Sequence, residues 1–390
     1  QQRIIFLFLK ARNLLRKFTQ VLKMNNKKIL ILCPYPQGVA AGQRLKYEQY
    51  FESWKDNNFE ITVSSFSDKN LWEILYLPGY SVRKLLGVLR GYFRRFIILF
   101  TIKDYDLVYV FMWVTPIGGT FFERLIRRFS KKLIFDFDDF VHKELPPLNQ
   151  SKWSRLMHMI RGGFRKSNYL IKNSDYIIIS SPFHQEYCKN LNVRGCCDYI
   201  PCSLDTNYFK PLESNTKSEE KITIGWTGTF SSKPYLDSIK DVFIKLSKNY
   251  DFKLVIIGNF EYEIPGLDLK VIQWSKEKEI KDLQLIDIGI YPLFTNEWEL
   301  GKGALKAMQY MSVGIPVVAT KHGTTPYVVE DRKEGILVNS EQEWIEALSF
   351  LIDNPEVRLR YGASGRNRVL ENYSVKAVQY KYLSILKSLI

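Results

Sequence analysis

Lys302 and Lys306 stand four residues apart, and Gln309 follows three residues later. They lie in a segment that reads as strand (Asp287–Tyr291), loop (Pro292–Gly301), helix (near 303–313) and strand (Ile315–Ala319). In such a crossover the helix starts at the carboxyl edge of the sheet, where free N–H groups and the helix dipole favour an anion. The spacing predicts that Lys302, Lys306 and Gln309 share one helix face. Two cations at a helix N-terminus suit a diphosphate, and the amide suits sugar hydroxyls. A solvated lysine pair on a surface helix is the competing reading. A second constellation closes an earlier strand, where Leu133–His142 places Asp136, Asp138, Asp139 and His142 within ten residues. Carboxylates ending a buried strand need partners. The third is the loop after the strand Lys28–Cys33. Gly38 and Gly42 either shape a turn there or let backbone approach a ligand, and Arg44 adds a cationic donor. The loop lacks the G-x-G-x-x-G spacing of dinucleotide binders.

The elements that must carry these groups alternate. Strand patterns at Lys28–Cys33, Glu60–Ser65, Leu107–Phe111, Lys132–Phe135, Tyr176–Ser180 and Asp198–Ile200 are separated by helical stretches. After a polar linker, Glu213 to Glu220, strands at Ile222–Trp226, Lys253–Ile257, Asp287–Tyr291, Ile315–Ala319 and Gly335–Val338 alternate with helices near 235–248, 277–284 and 303–313. Alternation of this kind predicts an α/β fold of parallel sheets with crossover helices. It divides the chain into a basic amphipathic extension (1–23), a first Rossmann-like domain (24–212), a second (213–374) and a C-terminal helix (375–390). The ligand belongs in the cleft at the strands' carboxyl ends.

Length and charge sharpen the reading. The 390 residues are 46% hydrophobic and 25% charged, which excludes disordered and collagen-like classes. Residues 1–200 carry 32 Lys+Arg against 16 Asp+Glu, whereas residues 201–390 carry 24 against 25. The basic half suits an anionic membrane surface, a polyanion or nucleic acid, but no nucleic-acid module accompanies it. Residues 1–23, 83–103 and 151–172 each hold six Lys/Arg and no acid. In the middle segment Leu85, Leu86, Leu89, Tyr92, Phe93, Phe96 and Ile97 recur at helical spacing among Arg90, Arg94 and Arg95. That pattern fits a bilayer surface or a packed helix with a solvated cationic face. Leu107–Phe122 is the longest uncharged run and is broken by Pro116, Gly118 and Gly119, so no transmembrane span is expected. Cys33, Cys188, Cys196, Cys197 and Cys202 lack zinc spacing and read as reduced thiols.

Gln309-Tyr310-Met311-Ser312-Val313-Gly314-Ile315-Pro316-Val317-Val318, Ile200–Pro211, Gly225–Thr229 and Leu254–Asn259 together resemble the retaining glycosyltransferases of GT-B fold, the group 1 or family 4 type. The similarity runs over roughly Lys28 to Tyr373. It implies two Rossmann-like domains facing across a cleft and sugar transfer from a nucleoside-diphosphate sugar to an acceptor hydroxyl. The first domain would bind the acceptor, the second the donor, and no metal or other cofactor is expected. In that family two glutamates eight residues apart meet the donor sugar and the ribose. Here Gly301 and Gln309 stand in those places, as in a branch that carries Gly-Lys and a further Lys. The usual arginine after the glycine of the Gly228 loop is replaced by Thr229, so the diphosphate falls to Lys302 and Lys306. Many relatives end the strand before Asp138 with a histidine near the reacting sugar. Asp138 is the matching residue, expected to orient or deprotonate the acceptor hydroxyl, with His142 a weaker candidate. The implied partners are a nucleotide sugar, a glycan or lipid-linked acceptor and an anionic membrane surface, with no nucleic acid. The implied setting is cytoplasmic, peripheral on the inner face of the cell membrane, in surface polysaccharide or glycolipid assembly. A nucleotide-sugar epimerase and a non-catalytic scaffold of the same fold are the alternatives.

Overall fold

The computed structural model describes residues 26–143, 163–212 and 221–390. The extension 1–23, the linker 213–220 and residues 151–162 of the third cationic stretch lie outside the described residues. The first sheet comprises β1 (Lys27–Cys33), β2 (Phe59–Ser65), β3 (Leu107–Phe111), β4 (Leu133–Phe137), β5 (Tyr176–Ile179) and β6 (Cys197–Tyr199). They pair in parallel in the order β2-β1-β3-β4-β5-β6. The second comprises β7 (Ile222–Thr227), β8 (Phe252–Ile257), β9 (Leu269–Ile272), β10 (Ile288–Tyr291), β11 (Val317–Thr320) and β12 (Gly335–Val338), ordered β12-β11-β10-β7-β8-β9 and also parallel.

Parallel strands are covered by helices on both faces, so their sequences run apolar without alternation. Every residue of β3 and of β4 is buried. Each sheet reverses its strand order once, between β1 and β3 and between β7 and β10. Loops leaving the strands diverge there and open a crevice at the carboxyl ends. The loops after β1, β7 and β10 are those that hold Gly38, Gly228 and Lys302.

The helices include α1 (Ala41–Arg44), α2 (Ser81–Thr101), α3 (Leu305–Ser312) and α4 (Val375–Leu389). The last returns to the first domain, where Val378, Tyr382, Ile385 and Leu386 join the core around Tyr50, Trp54 and Tyr109. A backbone bridge between Leu204 and Ser374 ties the two crossing segments together. The five cysteines are unpaired thiols. No described helix is long and apolar enough to cross a membrane.

Some expectations shift. The helix expected near 235–248 is two pieces, Lys233–Asp237 and Lys240–Leu246. β9, a four-residue edge strand, has no counterpart in the sequence reading. β4 runs on to Phe137, so Asp136 belongs to the strand rather than to the loop after it.

Candidate functional site

β7 ends beside Gly228, and Lys306 rises from the first turn of α3 towards it. The Lys306 ammonium lies 4.4 Å from the centroid of the buried Trp226 ring. A Cβ at Gly228 would stand 2.7 Å from Lys306 Nζ and closer still to Trp226, so glycine is what leaves the lysine room. No carboxylate among the described residues pairs with Lys306, and the neighbouring charge it feels is Lys302. Burial, and then the Lys302 charge, push its pKa down to about 7. The start of α3 has no side-chain cap, since Ala304 sits there with a left-handed φ of 55°. The N–H groups of a helix's first turn lack intrahelical partners, so this end is a cluster of donors.

Lys302 departs from the expected helix face. It closes the turn Glu297–Gly301 in an extended conformation, three residues before α3 begins. The left-handed Ala304 breaks the periodicity that spacing alone assumed, so the two lysines converge from loop and helix. Lys302 Nζ lies 3.5 Å from Asp139 Oδ1 of the first domain and 5.9 Å from the ring centroids of Tyr235 and Trp298.

Across the crevice, β4 delivers Asp136 and Asp138 to a lysine that the sequence reading passed over. Lys46 is fully buried and ion-paired with both carboxylates, 3.0 Å from Asp138 Oδ1. It also donates to the Phe137 carbonyl at 3.2 Å. Burial by itself would lower Lys46, but Asp136 and Asp138 more than offset it and hold the ammonium above its ordinary value. Burial raises Asp136 to about 6 against the pull of Lys46, and its other oxygen accepts from Tyr109. Asp138 Oδ1 also accepts from Ser180. Its Oδ2 lies 3.2 Å from where a Cβ on Gly42 would be, on the side of the β1 loop. Asp136 and Asp138 thus share a lysine through one oxygen each, and no described group of three His, Cys, Asp or Glu could hold a metal ion. His142 turns away into an aromatic cluster with Phe140, His184 and Tyr187. Burial lowers its pKa to about 4, which leaves it neutral.

The remaining candidates have protein partners. Arg44 pairs with Glu279 of the second domain at 3.0 Å, and the Gln309 amide donates to the same carboxylate at 3.3 Å. Glu279 is almost fully buried and went unforeseen in the sequence. Gly38, at φ 82°, donates its N–H to Glu48 at 2.8 Å, so it shapes the turn instead of offering a free donor. Thr229 bonds Ser231 at 2.8 Å and is exposed. Gly301 meets the first domain directly, since a Cβ there would stand 2.7 Å from the backbone of Asp139 and Phe140.

Residues 210–368 match the family model described as glycosyl transferases group 1. This part of the molecule is similar to that family. The two-domain architecture is that of the GT-B fold: the sucrose-phosphate synthase of Thermosynechococcus elongatus superposes with a TM-score of 0.69 at 16% identity, covering 93% of this chain and 99% of that one. HepE of Anabaena, solved in complex with UDP-glucose, superposes with a TM-score of 0.64 at 16% identity over the same shares. Among curated relatives, a probable sucrose-phosphate synthase of Thermosipho melanesiensis is 22% identical over 202 residues, 48% of this chain. The match spans 46% of that relative, just under half its length. Within the group 1 domain, Lys302, Lys306 and Gln309 fall in the matched region, whereas Asp138 and Arg44 lie in the domain before it.

Proposed function

We propose that the chain transfers a sugar from a nucleoside-diphosphate sugar to an acceptor hydroxyl with retention of anomeric configuration. The observation that carries this reading is Lys306, an ammonium with no carboxylate partner among the described residues, set against Trp226 and Gly228 at an uncapped helix end. A lysine held at about 7 is poised to be charged by the anion it meets. Cleavage of the anomeric bond puts negative charge on the departing diphosphate. Lys306, Lys302 and the α3 N–H groups would stabilise that charge without reorganising. Gln309, seated beside the Glu279 carboxylate, would meet the ribose hydroxyls. Asp138 Oδ2 would orient or accept the proton of the acceptor hydroxyl, while Lys46 and Ser180 hold Oδ1 still. The acceptor, a glycan or a lipid-linked sugar, would approach from the basic first domain, consistent with surface polysaccharide or glycolipid assembly at the cytoplasmic face of a membrane.

The position of the missing donor-sugar glutamate favours a second reading, a nucleotide-binding subunit without turnover. Backbone of Asp139 and Phe140 fills the space next to Gly301, so no side chain fits there. A thermal-shift panel of UDP, GDP, ADP, CMP and their sugar conjugates tests the donor site, because a ligand selective for the folded state raises its melting temperature. We expect one nucleoside diphosphate to stand out, and product analysis with that donor to show glycoside formation. Asp138→Asn should lower turnover roughly 100-fold or more while nucleotide binding persists. Nucleotide binding with no product under any acceptor mixture would favour the second reading. The absence of any thermal shift would overturn both.

A further inference from the structure

Helix α2 is built inside out. Its inner face carries Gly87, Gly91 and Arg95, all buried. A Cβ at Gly91 would stand 2.7 Å from the Phe66 ring, and one at Gly87 2.9 Å from Leu71, so this face is pressed onto the domain too closely to rotate. Arg95 anchors it by donating to the backbone carbonyls of Val114, Ser64 and Cys33 at 2.8–3.0 Å. Tyr92, grouped by spacing with the apolar stripe, turns partly inward and donates to the Ile117 carbonyl. The opposite face presents Val82, Leu86, Leu89, Phe93, Phe96 and Phe100, each 51–71% exposed. At 100° per residue these six fall within an arc of roughly 80°, a continuous stripe down the helix. Soluble proteins seldom expose an apolar patch of this extent without a partner for it.

The stripe continues to the crevice. Tyr76, Leu77 and Tyr80, just before α2, are also about half exposed. Tyr76 packs edge-on against Phe230, in the loop that follows Gly228 and Thr229, with ring centroids 5.8 Å apart. An apolar band therefore runs from the mouth of the candidate site along the outside of the first domain.

Charge decides what covers it. Residues 83–103 hold six Lys/Arg and no acid, and Arg83, Arg90 and Lys103 are exposed. A second copy laid along the stripe would oppose these cations with their own equivalents, with no acid on either helix to pair them. The undescribed segment 1–25 is itself apolar and cationic, with six Lys/Arg and no acid. An apolar face flanked by cations matches a bilayer whose surface is anionic, with the rings entering the headgroup boundary and the cations meeting phosphates.

We propose that α2 docks the protein onto an anionic lipid bilayer, with the crevice mouth held at its surface. The docking claim rests on α2 alone; its extension, a membrane-borne acceptor, rests on the sugar-transfer reading.

The test is co-sedimentation of the full chain with phosphatidylcholine vesicles containing or lacking about 30% phosphatidylglycerol, in about 50 mM and about 500 mM NaCl. The protein should bind the anionic vesicles at low salt, bind the neutral ones far less, and release as salt rises. The double variant Leu89→Asp/Phe93→Asp should lower vesicle affinity tenfold or more, with an unchanged melting temperature because both side chains are exposed. Wild-type protein that stays in the supernatant would overturn the proposal. So would vesicle binding indifferent to the double variant, or a stable dimer that the variant converts to monomer. No nucleotide enters this assay, so a failed donor panel does not alter its outcome, and failed vesicle binding does not alter that of the donor panel.

Discussion

Two lysines at the carboxyl edges of the sheets, Lys46 in the first domain and Lys306 in the second, keep opposite company. Lys46 lies between Asp136 and Asp138 and is held above its ordinary pKa. Lys306 lies against a tryptophan ring, feels the charge of another lysine, and is lowered to about 7. The first charge is already neutralised inside the protein, so its role is to fix the carboxylates around it. For the second, no anion among the described residues pairs with it. Desolvating such a charge costs free energy, and a ligand carrying negative charge recovers it.

Lys46→Met removes the counter-ion of two carboxylates, one of them fully buried, and should cost the fold about 3–5 kcal/mol in urea unfolding. Lys306→Met should cost little or even stabilise, because it removes a desolvated charge that no described carboxylate pairs with. If the two substitutions destabilise equally, the contrast between the lysines collapses. The order inverts for binding. Lys306→Met should weaken a nucleoside diphosphate roughly 10–100-fold by calorimetry, the worth of a charged hydrogen bond.

A further effect concerns pH. Lys306 binds its proton more weakly in the folded chain, at about 7 against an ordinary 10.5. Between those values the unfolded chain holds more protons, so this residue makes stability rise with pH across that window. Comparing unfolding free energies of wild type and Lys306→Met at several pH values between about 7 and 10 should isolate that rise, which the variant lacks. Identical slopes would mean that Lys306 is not desolvated.

The fold was legible because parallel strands buried on both faces leave apolar runs that need no knowledge of their neighbours. Lys302, Lys306 and Gln309 were legible for a similar reason, since one strand-loop-helix unit carries them all. Their exact disposition was not, because the left-handed Ala304 that parts Lys302 from the helix leaves no mark in the spacing. Lys46 was missed because it sits in an unremarkable turn after α1 and its partners Asp138 and Ser180 come 92 and 134 residues later. Glu279 was missed likewise, with Arg44 235 residues away. Groups that only tertiary contact brings together have no local signature. The outward stripe of α2 showed its helical period in the sequence, but which face looks out is decided by Gly87, Gly91 and Arg95 packing inward.

The central claim is tested most directly by asking whether the nucleoside diphosphate that gives the largest thermal shift takes up a proton as it binds. Titrations at pH 8 in two buffers of different ionisation enthalpy report that uptake, and pH 6 serves as the control. Lys306, at about 7 when unliganded, is mostly neutral at pH 8 and mostly charged at pH 6. A bound diphosphate should charge it, so uptake of close to one proton is expected at pH 8, little at pH 6, and none in Lys306→Met. Proton-neutral binding at pH 8 with undiminished affinity in Lys306→Met would contradict the claim that this lysine awaits the anion.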